Sequence, residues 1–484
     1  MAAGARPGRA IVAAGHPGTA AAADAVLRSG GNAYDAIVAA GFAAAVCEPG
    51  FTSLGGGGFL LAHTAAGEEV VFDFFCDTPG RGLHHAPEPH FHSVDVDFGA
   101  AVQAFHIGRG SVAVPGVLPG YLHVHGRLGR LPLTEVVAPA VTLARTGVAV
   151  TPLQAWVMEL LWPIFTSTDA MRALFAPAGR RLVEGDTFAN AELAAFLEDL
   201  GAGRVAGLHA GTPARTIATD MADGDGLVTF EDLGAYEVVE REPLECEFRG
   251  LRILANPPPS FGGTLVGESL RLLEGRGAPL ALGSGAELVR RCEILVEVDR
   301  RRTAGVSRGT THVSVADAEG NVAAMTTSNG EGSGYVVPGT GVILNNMLGE
   351  DDLHPDGFHS AAPGERIGSM MSPTLVMDGG RPRLVLGSGG SKRIRTAIFQ
   401  VIAAIVDGGV DVAAAVAGPR LHWDGAVCQI EPGCRDDAIT TLAARYRVNV
   451  WPAANLYFGG VHTVDLASGT GAGDSRRGGV VRVV

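Results

Sequence analysis

The feature that most constrains this chain is residues 309–317, which read Gly-Thr-Thr-His-Val-Ser-Val-Ala-Asp. The alternation of apolar and polar side chains after the glycine is typical of a β-strand. If the chain is cut between Gly309 and Thr310, the new first residue carries a hydroxyl nucleophile and a free α-amino group. The ordinary pKa of such an amine, about 7.7–8.0, suits a general base near neutral pH. An uncut strand that opens with two threonines is the alternative interpretation.

A second candidate for chemistry is the run at residues 384–391, Leu-Val-Leu-Gly-Ser-Gly-Gly-Ser. Its apolar start and glycine-rich end indicate a buried strand that opens onto a turn and a helix. Successive backbone amides in such a turn can point at one developing oxyanion, and each donor is typically worth about 2.7–4 kcal/mol in the transition state. A nest for a bound phosphate is the other interpretation.

Composition narrows the possible partners. The apolar fraction is 46%, the charged fraction is 18% and the formal charge is −14, with no lysine- or arginine-rich run, so we expect no nucleic-acid partner. The cysteines are scattered without CxxC spacing, which indicates neither a disulfide framework nor a zinc site, and we predict no cofactor. The first residues contain no apolar core of the kind found in secretory signals, and the alanine-rich helix near residues 33–47 is too short to cross a bilayer. We therefore expect a cytoplasmic protein without a membrane partner.

Helix and strand signals are clear in several places. Pro132 and Gly147 bracket a helix with apolar residues at helical spacing over residues 133–146. Residues 151–235 look helical but interrupted by prolines, and no chemistry can be attached to them. Further predicted elements are helices over residues 264–273 and 286–300 and a strand over residues 322–327.

Several stretches of the chain together resemble the γ-glutamyltransferase family, whose members are N-terminal-nucleophile hydrolases made as one chain that cuts itself before a threonine. The resemblance implies a four-layer αββα sandwich. It also implies a large-subunit-like segment, residues 1–309, and a small-subunit-like segment, residues 310–484, which together form one unit. The motifs that carry the likeness are GGNAYDA at 30–36, LGGGGFL at 54–60, NPPPSFGG at 256–263, TTHVSVAD at 310–317, RIGSMMSPT at 366–374 and LVLGSGGS at 384–391.

The resemblance assigns roles to residues of the second segment. Thr310 is the implied nucleophile, and Ser328 stands where relatives carry a second threonine that holds the nucleophile's hydroxyl. Asn329 matches a nearby asparagine of the substrate site. Without Thr310, residues 328–334 would read as a glycine-rich surface loop. The match also favours an oxyanion hole over a phosphate nest, and we assign it to the amides of Gly389, Gly390 and Ser391.

The motifs for substrate recognition are where this chain departs from the family. Relatives grip the donor's α-carboxylate with an arginine at the position of Phe75, and a phenyl ring cannot replace that ionic fork. Ser369 matches the first of two substrate-binding serines, whereas Met370 replaces the second. The acid that binds the donor's α-amino group is displaced. Asp352 is our candidate for that role, and a solvated acidic loop is the alternative.

These observations predict a self-cleaving amidohydrolase or acyltransferase that forms an acyl ester on Thr310. Phe75 and Met370 predict a small-molecule amide donor other than glutathione. Two alternatives stay open: a hydrolase of the same family that acts on oxamate-type small acids or on a carbon–carbon bond, and an uncut binding scaffold without catalysis. The two fragments are predicted to remain together, and a homo-oligomer is compatible with the sequence.

Overall fold

The computed structural model describes residues 9–85, 87–97, 102–300, 310–350, 353–354 and 357–484. Strands and helices alternate along most of this length. The strands are β1 (Ile11–Ala14), β2 (Gly57–His63), β3 (Glu69–Phe74), β4 (His92–Asp97), β5 (Val102–Ile107), β6 (Val148–Ala149), β7 (Thr187–Phe188), β8 (Val239–Arg241), β9 (Leu244–Phe248), β10 (Leu251–Ala255), β11 (Thr311–Ala316), β12 (Val322–Ser328), β13 (Val336–Val337), β14 (Val342–Ile343), β15 (Thr374–Asp378), β16 (Arg381–Gly389), β17 (Leu421–Trp423), β18 (Cys428–Ile430), β19 (Val448–Val450), β20 (Gly460–Asp465), β21 (Thr470–Ala472) and β22 (Val480–Val483).

The α-helices cover the regions where the sequence carries helical periodicity. They are α1 (Pro17–Arg28), α2 (Ala33–Cys47), α3 (Val117–Leu128), α4 (Leu133–Thr146), α5 (Pro152–Leu160), α6 (Trp162–Phe165), α7 (Asp169–Phe175), α8 (Ala191–Gly201), α9 (Gly211–Asp223), α10 (Phe230–Ala235), α11 (Gly262–Gly275), α12 (Gly285–Arg300), α13 (Arg393–Val406), α14 (Val412–Ala417) and α15 (Asp436–Ala443).

Two large sheets form the centre of the molecule. The first has the order β22-β1-β11-β12-β2-β3-β8, and the second has the order β21-β20-β16-β15-β10-β9. Neighbouring strands in both sheets run antiparallel. Strands β2, β11 and β12 are buried along their whole length. Both faces of the first sheet are therefore covered at its centre, as their nearly continuous apolar and small residues require.

One hydrophobic cluster lies between the sheets and continues behind the second sheet. It joins Leu61 and Ala324 of the first sheet to Val385 of the second and to Ile398 of α13. A separate cluster lies on the other face of the first sheet, where helix α2 covers it with fifteen buried residues. The layers therefore run helix, sheet, sheet, helix, and the predicted four-layer αββα sandwich is confirmed.

The segments 1–309 and 310–484 are interlaced within both sheets. Strand β1 of the first segment lies between β11 and β22 of the second, β12 pairs with β2, and β15 pairs with β10. Each segment alone would leave unpaired strand edges, which is unfavourable in a buried sheet. The predicted boundary itself falls in residues 301–309, outside the described residues, and stays a prediction.

None of the described helices has the combination of length and apolar character that a membrane crossing needs.

Candidate active site

Thr310 lies at the entrance of the hairpin formed by β11 and β12. The last pair of this ladder joins Thr311 to Thr327, and continuing that register by one step brings Thr310 opposite Ser328. Directly opposed residues of an antiparallel pair project from the same face, with Cβ atoms about 4.5–5.5 Å apart. The strand register therefore brings the predicted nucleophile and the predicted second hydroxyl side by side.

The same row continues across the next two strands. Ser328 pairs with Gly57 of β2, and Phe75 directly follows β3, one step beyond the pair of Gly58 and Phe74. Phe75 therefore shares a face with the two hydroxyl residues, and Gly57 without a side chain lies between them. A Cβ atom at Gly57 would lie 3.0 Å from Cδ2 of Phe75, so the ring leans over this glycine.

The row points into the space between the sheets. His312 and Ser314 follow Thr310 at alternate positions of β11 and so share its face. The His312 ring packs directly on Gly387 of β16, where any Cβ would collide with it. Ser314 donates its hydroxyl to the carbonyl of His462 in β20, at 3.0 Å. Thr310 consequently faces the second sheet, where the predicted oxyanion turn ends β16.

The Thr310 side chain is fully buried, yet its hydroxyl has no hydrogen-bond partner among the described residues. The Ser391 hydroxyl is likewise buried and has no hydrogen-bond partner among the described residues. A buried polar group left without a partner costs about 1–3 kcal/mol, and such groups in a native structure call for an explanation. A site in which a substrate or water completes the hydrogen bonding is a sufficient one.

The predicted oxyanion turn lies against the nucleophile's backbone. A Cβ atom on Gly389 would collide with the carbonyl oxygen of Thr310. After Gly390, Ser391 adopts a φ of +58°, a left-handed conformation that is uncommon outside glycine. Helix α13 begins two residues later, so the turn also stands at a helix N-terminus, where backbone amides favour negative charge.

Two charged residues that the sequence reasoning missed hold Thr310 and its neighbour Thr311. Arg477 donates from Nη1 to the carbonyl oxygen of Thr310 at 2.9 Å. The next residue, Thr311, donates its hydroxyl to Oε2 of Glu48 at 2.6 Å, while Thr19 donates to Oε1 at 2.7 Å. The sequence carried little signal for either contact, because Glu48 follows a helix, and Arg477 stands in a tail segment, residues 473–479, whose likeness to the family assigned it no role.

Burial sets the protonation of these groups. Burial raises the pKa of Glu48, against the opposing effects of its two threonine donors and of Arg477. Burial also lowers the pKa of Arg477 to about 10, so its guanidinium is still a cation at neutral pH. For His312, burial and the neighbouring His462 lower the pKa well below its ordinary value. His312 is thus neutral near pH 7, and both ring nitrogens are engaged, with Thr326 at 2.8 Å and Ser314 at 3.0 Å.

Asn329 lies next to Ser328 in a tightly held turn. Its backbone N–H donates to the carbonyl of Phe51 at 3.3 Å, and its side-chain amide donates to Leu344 at 3.4 Å. The carbonyl oxygen of its side chain is buried and has no partner within the described part of the chain. It is therefore available to a substrate's donor group, and the assignment of Asn329 to the substrate site stays a prediction.

A buried acid close to this turn is Glu350, two residues before the predicted Asp352. Glu350 is buried, and its Oε1 atom lies 2.7 Å from where a Cβ of Gly330 would stand. Asp352 lies outside the described residues, so its assignment to an ammonium group stays a prediction. The acidic run at residues 350–352 was the only sequence signal for Glu350, and it does not distinguish its members.

Phe75 is part of the core between the sheets. Its side chain is fully buried, and its ring stacks on Phe59 with centroids 5.5 Å apart and an interplanar angle of 14°. A cation close to this strand end, Arg366, is already bound to Asp73 at 2.8 Å and to Asp77 at 2.5 Å. This arginine therefore satisfies acids of the fold and does not replace the ionic fork that Phe75 lacks.

Ser369 and Met370 lie in a segment held by the loop at residues 256–263. The Ser369 hydroxyl accepts from the N–H of Met371 at 3.2 Å, and its carbonyl accepts from Phe261 at 2.8 Å. Met370 is fully buried and belongs to the same hydrophobic cluster as Phe75. Among the described residues, the hydrogen bonds of Ser369 stay within these two loops and do not reach Thr310.

Comparison with known proteins shows which family the chain belongs to. The family model described as Gamma-glutamyltranspeptidase matches residues 19–305 and 290–484. The chain is 32% identical to the Acylase ACY 1 proenzyme of Pseudomonas sp. (strain V22), over 90% of this chain and 86% of that protein. It is 30% identical to the Glutathione hydrolase proenzyme of Escherichia coli (strain K12), over 87% of this chain and 82% of that protein.

The fold agrees with solved structures of the same kind. Cephalosporin acylase from Bacillus halodurans superposes with a TM-score of 0.85 at 23% identity, covering 100% of this chain and 98% of that one. Helicobacter pylori gamma-glutamyltranspeptidase superposes with a TM-score of 0.53 at 26% identity, covering 72% of this chain and 92% of that one. The chain therefore belongs to the gamma-glutamyltranspeptidase family of N-terminal-nucleophile enzymes.

Proposed function

We propose that this protein is a self-cleaving amide acylase whose nucleophile is Thr310. The observation that carries the proposal is the buried, unpartnered hydroxyl of Thr310, one step beyond the last pair of the β11–β12 ladder and against the turn at residues 389–391. A cut before Thr310 frees its α-amine to act as the base for its own hydroxyl. The family relatives named as proenzymes support such a maturation step.

Each group of the site then has one task. The Thr310 hydroxyl attacks the carbonyl carbon of an amide while its amine takes the proton, and the amine leaving group departs with a proton as the acyl ester forms. Ser328 orients the attacking hydroxyl from the neighbouring strand. The amides of Gly389, Gly390 and Ser391 stabilise the negative oxygen of the tetrahedral intermediate. Water, or an acceptor amine, then releases the acyl group and restores Thr310.

The acyl group that suits this site is not γ-glutamyl. The wall opposite Ser328 is the ring of Phe75, and Met370 fills part of the same apolar cluster. Burying an α-carboxylate there without a partner is unfavourable, because a charged group in an apolar site loses its hydration. The 32% identity to a protein named as an acylase supports acylase activity, and the apolar side chains of Phe75 and Met370 support a donor with an apolar or smaller acyl group.

Self-cleavage is tested with Thr310→Ala. Purified wild-type protein should run as two bands on a denaturing gel, and the smaller band should begin Thr-Thr-His-Val. Thr310→Ala should remain one folded chain without activity. Thr310→Ser should cut slowly because it keeps a hydroxyl. Thr470→Ala, at an exposed threonine of β21, is the matched control and should cut normally. Normal cleavage of Thr310→Ala, or an uncut wild type, would contradict the proposal and favour a binding scaffold.

A further inference from the structure

We infer that Arg477 is a positioning residue that also tunes the nucleophile's amine: it holds the Thr310 carbonyl, and its fixed cation favours the neutral, base-competent form of that amine. The inference rests on the proposed function, because the amine exists only after cleavage. It goes beyond that function by naming what sets the proton affinity of the base.

Arg477 is fixed in place by several contacts around Thr310. The residue is buried, and its Nη1 atom donates to Thr310 O at 2.9 Å. Its guanidinium carbon lies 5.0 Å from the ring centroid of Phe51, which fixes the plane of the group. A Cβ atom on Gly389 would lie 3.1 Å from Nη1 and one on Gly390 would lie 3.5 Å from Nη2. The cation is therefore packed between the nucleophile and the predicted oxyanion turn.

The carbonyl contact also fixes how far the charge is from the amine. The nitrogen and the carbonyl oxygen of one residue are joined by three covalent bonds of known length, and cannot lie more than about 4 Å apart. Given the hydrogen bond of Arg477 to that oxygen, the amine lies on the order of 6 Å from the guanidinium. At this distance a fixed cation lowers the pKa of a partly desolvated amine by about one to two units.

Other charges around Thr310 are largely compensated. Asp474 is bound to Arg420 at 2.5 Å and to Arg476 at 3.1 Å. Among the described residues, Arg477 itself has no carboxylate within salt-bridge distance. Its charge is therefore the one that acts most directly on the amine.

The remaining titratable groups near Thr310 do not change this sign. Both carboxylate oxygens of Glu48 accept hydrogen bonds from threonine hydroxyls, and burial favours its neutral form. Arg393 of α13 adds a second positive charge and is held by the carbonyl of Tyr457 at 2.7 Å. His312 and His462 are buried with lowered pKa values and are neutral at pH 7. The cation held directly at Thr310 is that of Arg477.

The test titrates the amine directly and needs no substrate. Wild type, Arg477→Gln, Arg477→Lys and the control Arg482→Gln are purified after self-cleavage and pulse-labelled with acetic anhydride from pH 5 to 10. Mass spectrometry then follows the peptide that begins at Thr310, with Lys392, the chain's one lysine, as the internal reference. Arg482 is a suitable control because it is a solvent-exposed arginine of the same C-terminal tail, with 44% of its side chain accessible.

We expect the wild-type amine to titrate below the ordinary value of about 7.7–8.0, and Arg477→Gln to raise its pKa by about one to two units. Arg477→Lys should keep the pKa within a few tenths of a unit but slow self-cleavage, because a lysine cannot reproduce the planar contact. Arg482→Gln should match wild type. An amine pKa that is unchanged in Arg477→Gln overturns the inference, even if the wild type cleaves as proposed.

An uncut Arg477→Gln chain is also informative. In that case Arg477→His, which is neutral above about pH 6.5, replaces it in the titration. If both neutral variants stay uncut while Arg477→Lys is cut, a cation at the Thr310 carbonyl is needed for cleavage, and the positioning role of Arg477 is supported. If Arg477→Lys is uncut as well, a role for the charge is overturned. A wild type that is itself uncut would refute the proposed function instead.

Discussion

Phe75→Arg should raise kcat/KM for γ-glutamyl donors relative to other donors. The change places a guanidinium in the row of Thr310, Ser328 and Gly57, on the side of the site that Phe75 now closes. A hydrogen bond to a charged carboxylate contributes about 1.5–3 kcal/mol, which corresponds to a gain of about tenfold to 150-fold in kcat/KM for a γ-glutamyl donor. The gain should be partial, because Met370 still lacks the hydroxyl that relatives provide.

The same change destabilises the fold. It removes a fully buried ring stacked on Phe59 and inserts a charge among apolar neighbours. We expect the free energy of unfolding to fall by about 3–5 kcal/mol, the range for the loss of a buried phenylalanine. Activities of the variants must therefore be compared as ratios, which a reduced folded fraction does not change.

The assay measures kcat/KM for two anilides, γ-glutamyl anilide and butanoyl anilide, which has the same acyl chain without its charged groups. Wild type should prefer the butanoyl donor. Phe75→Arg should shift the ratio toward γ-glutamyl, and Phe75→Arg/Met370→Ser should shift it further. Phe75→Leu is the control, since it changes shape without adding charge and should leave γ-glutamyl use low. A wild type that prefers γ-glutamyl anilide, or a folded Phe75→Arg variant with the wild-type ratio, would refute the reasoning.

Two further predictions concern the turn and the stability of the protein. Gly389→Ala should block self-cleavage on a denaturing gel, because the added Cβ would collide with the carbonyl oxygen of Thr310. Its activity should fall at least about a hundredfold, which is the effect of losing one oxyanion donor. Gly275→Ala is the control, since its Cβ would meet open space, and it should behave like wild type on the same gels. Burial lowers the pKa of both His16 and His462 to about 4, so the stability they contribute is present above pH 6.5 and is lost as pH falls toward 4. Urea unfolding at pH 7, 5.5 and 4.5 should show a loss of up to about 3 kcal/mol per histidine, and His16→Ser, which keeps a helix cap without titrating, should reduce the slope. A free energy of unfolding that does not change between pH 7 and 4.5 would contradict the predicted contribution of the two histidines.

Elements whose boundaries depend on local chemistry were predictable from the sequence. The helix predicted over residues 133–146 is α4 with those bounds, because Pro132 and Gly147 end the helical backbone on both sides. The helix predicted over residues 286–300 begins one residue earlier. In residues 151–235 the prolines have a different effect from the predicted one. Pro152 and Pro163 lie in first turns, where their missing N–H costs little, so they start helices rather than interrupt them.

Contacts between distant parts of the chain were not predictable in this way. Thr310 and Ser328 lie at the open end of one hairpin, so spacing along the sequence was sufficient to suggest that they are close. The contact of Arg477 with Thr310 joins residues 167 positions apart and depends on how β1, β11 and β22 are ordered. Nothing in the local pattern around Arg477 or Glu48 records that order. The buried position of Glu350 depends on packing in the same way.

The arrangement of the site explains how substrate choice can change while the chemistry stays. Thr310, Ser328 and the turn at Gly389 are placed by strand registers and by close backbone contact, which any change of backbone path would disturb. Phe75 and Met370 instead contribute side chains from positions whose backbone is held independently, by Tyr236 at the Phe75 carbonyl and by the loop at residues 256–263. If Phe75 and Met370 line the acyl pocket as we propose, replacing these side chains alters the charge and shape of the pocket without moving Thr310. Under that proposal an arginine can be exchanged for an apolar side chain in few steps, because the backbone around Thr310 does not depend on the residues that select the donor.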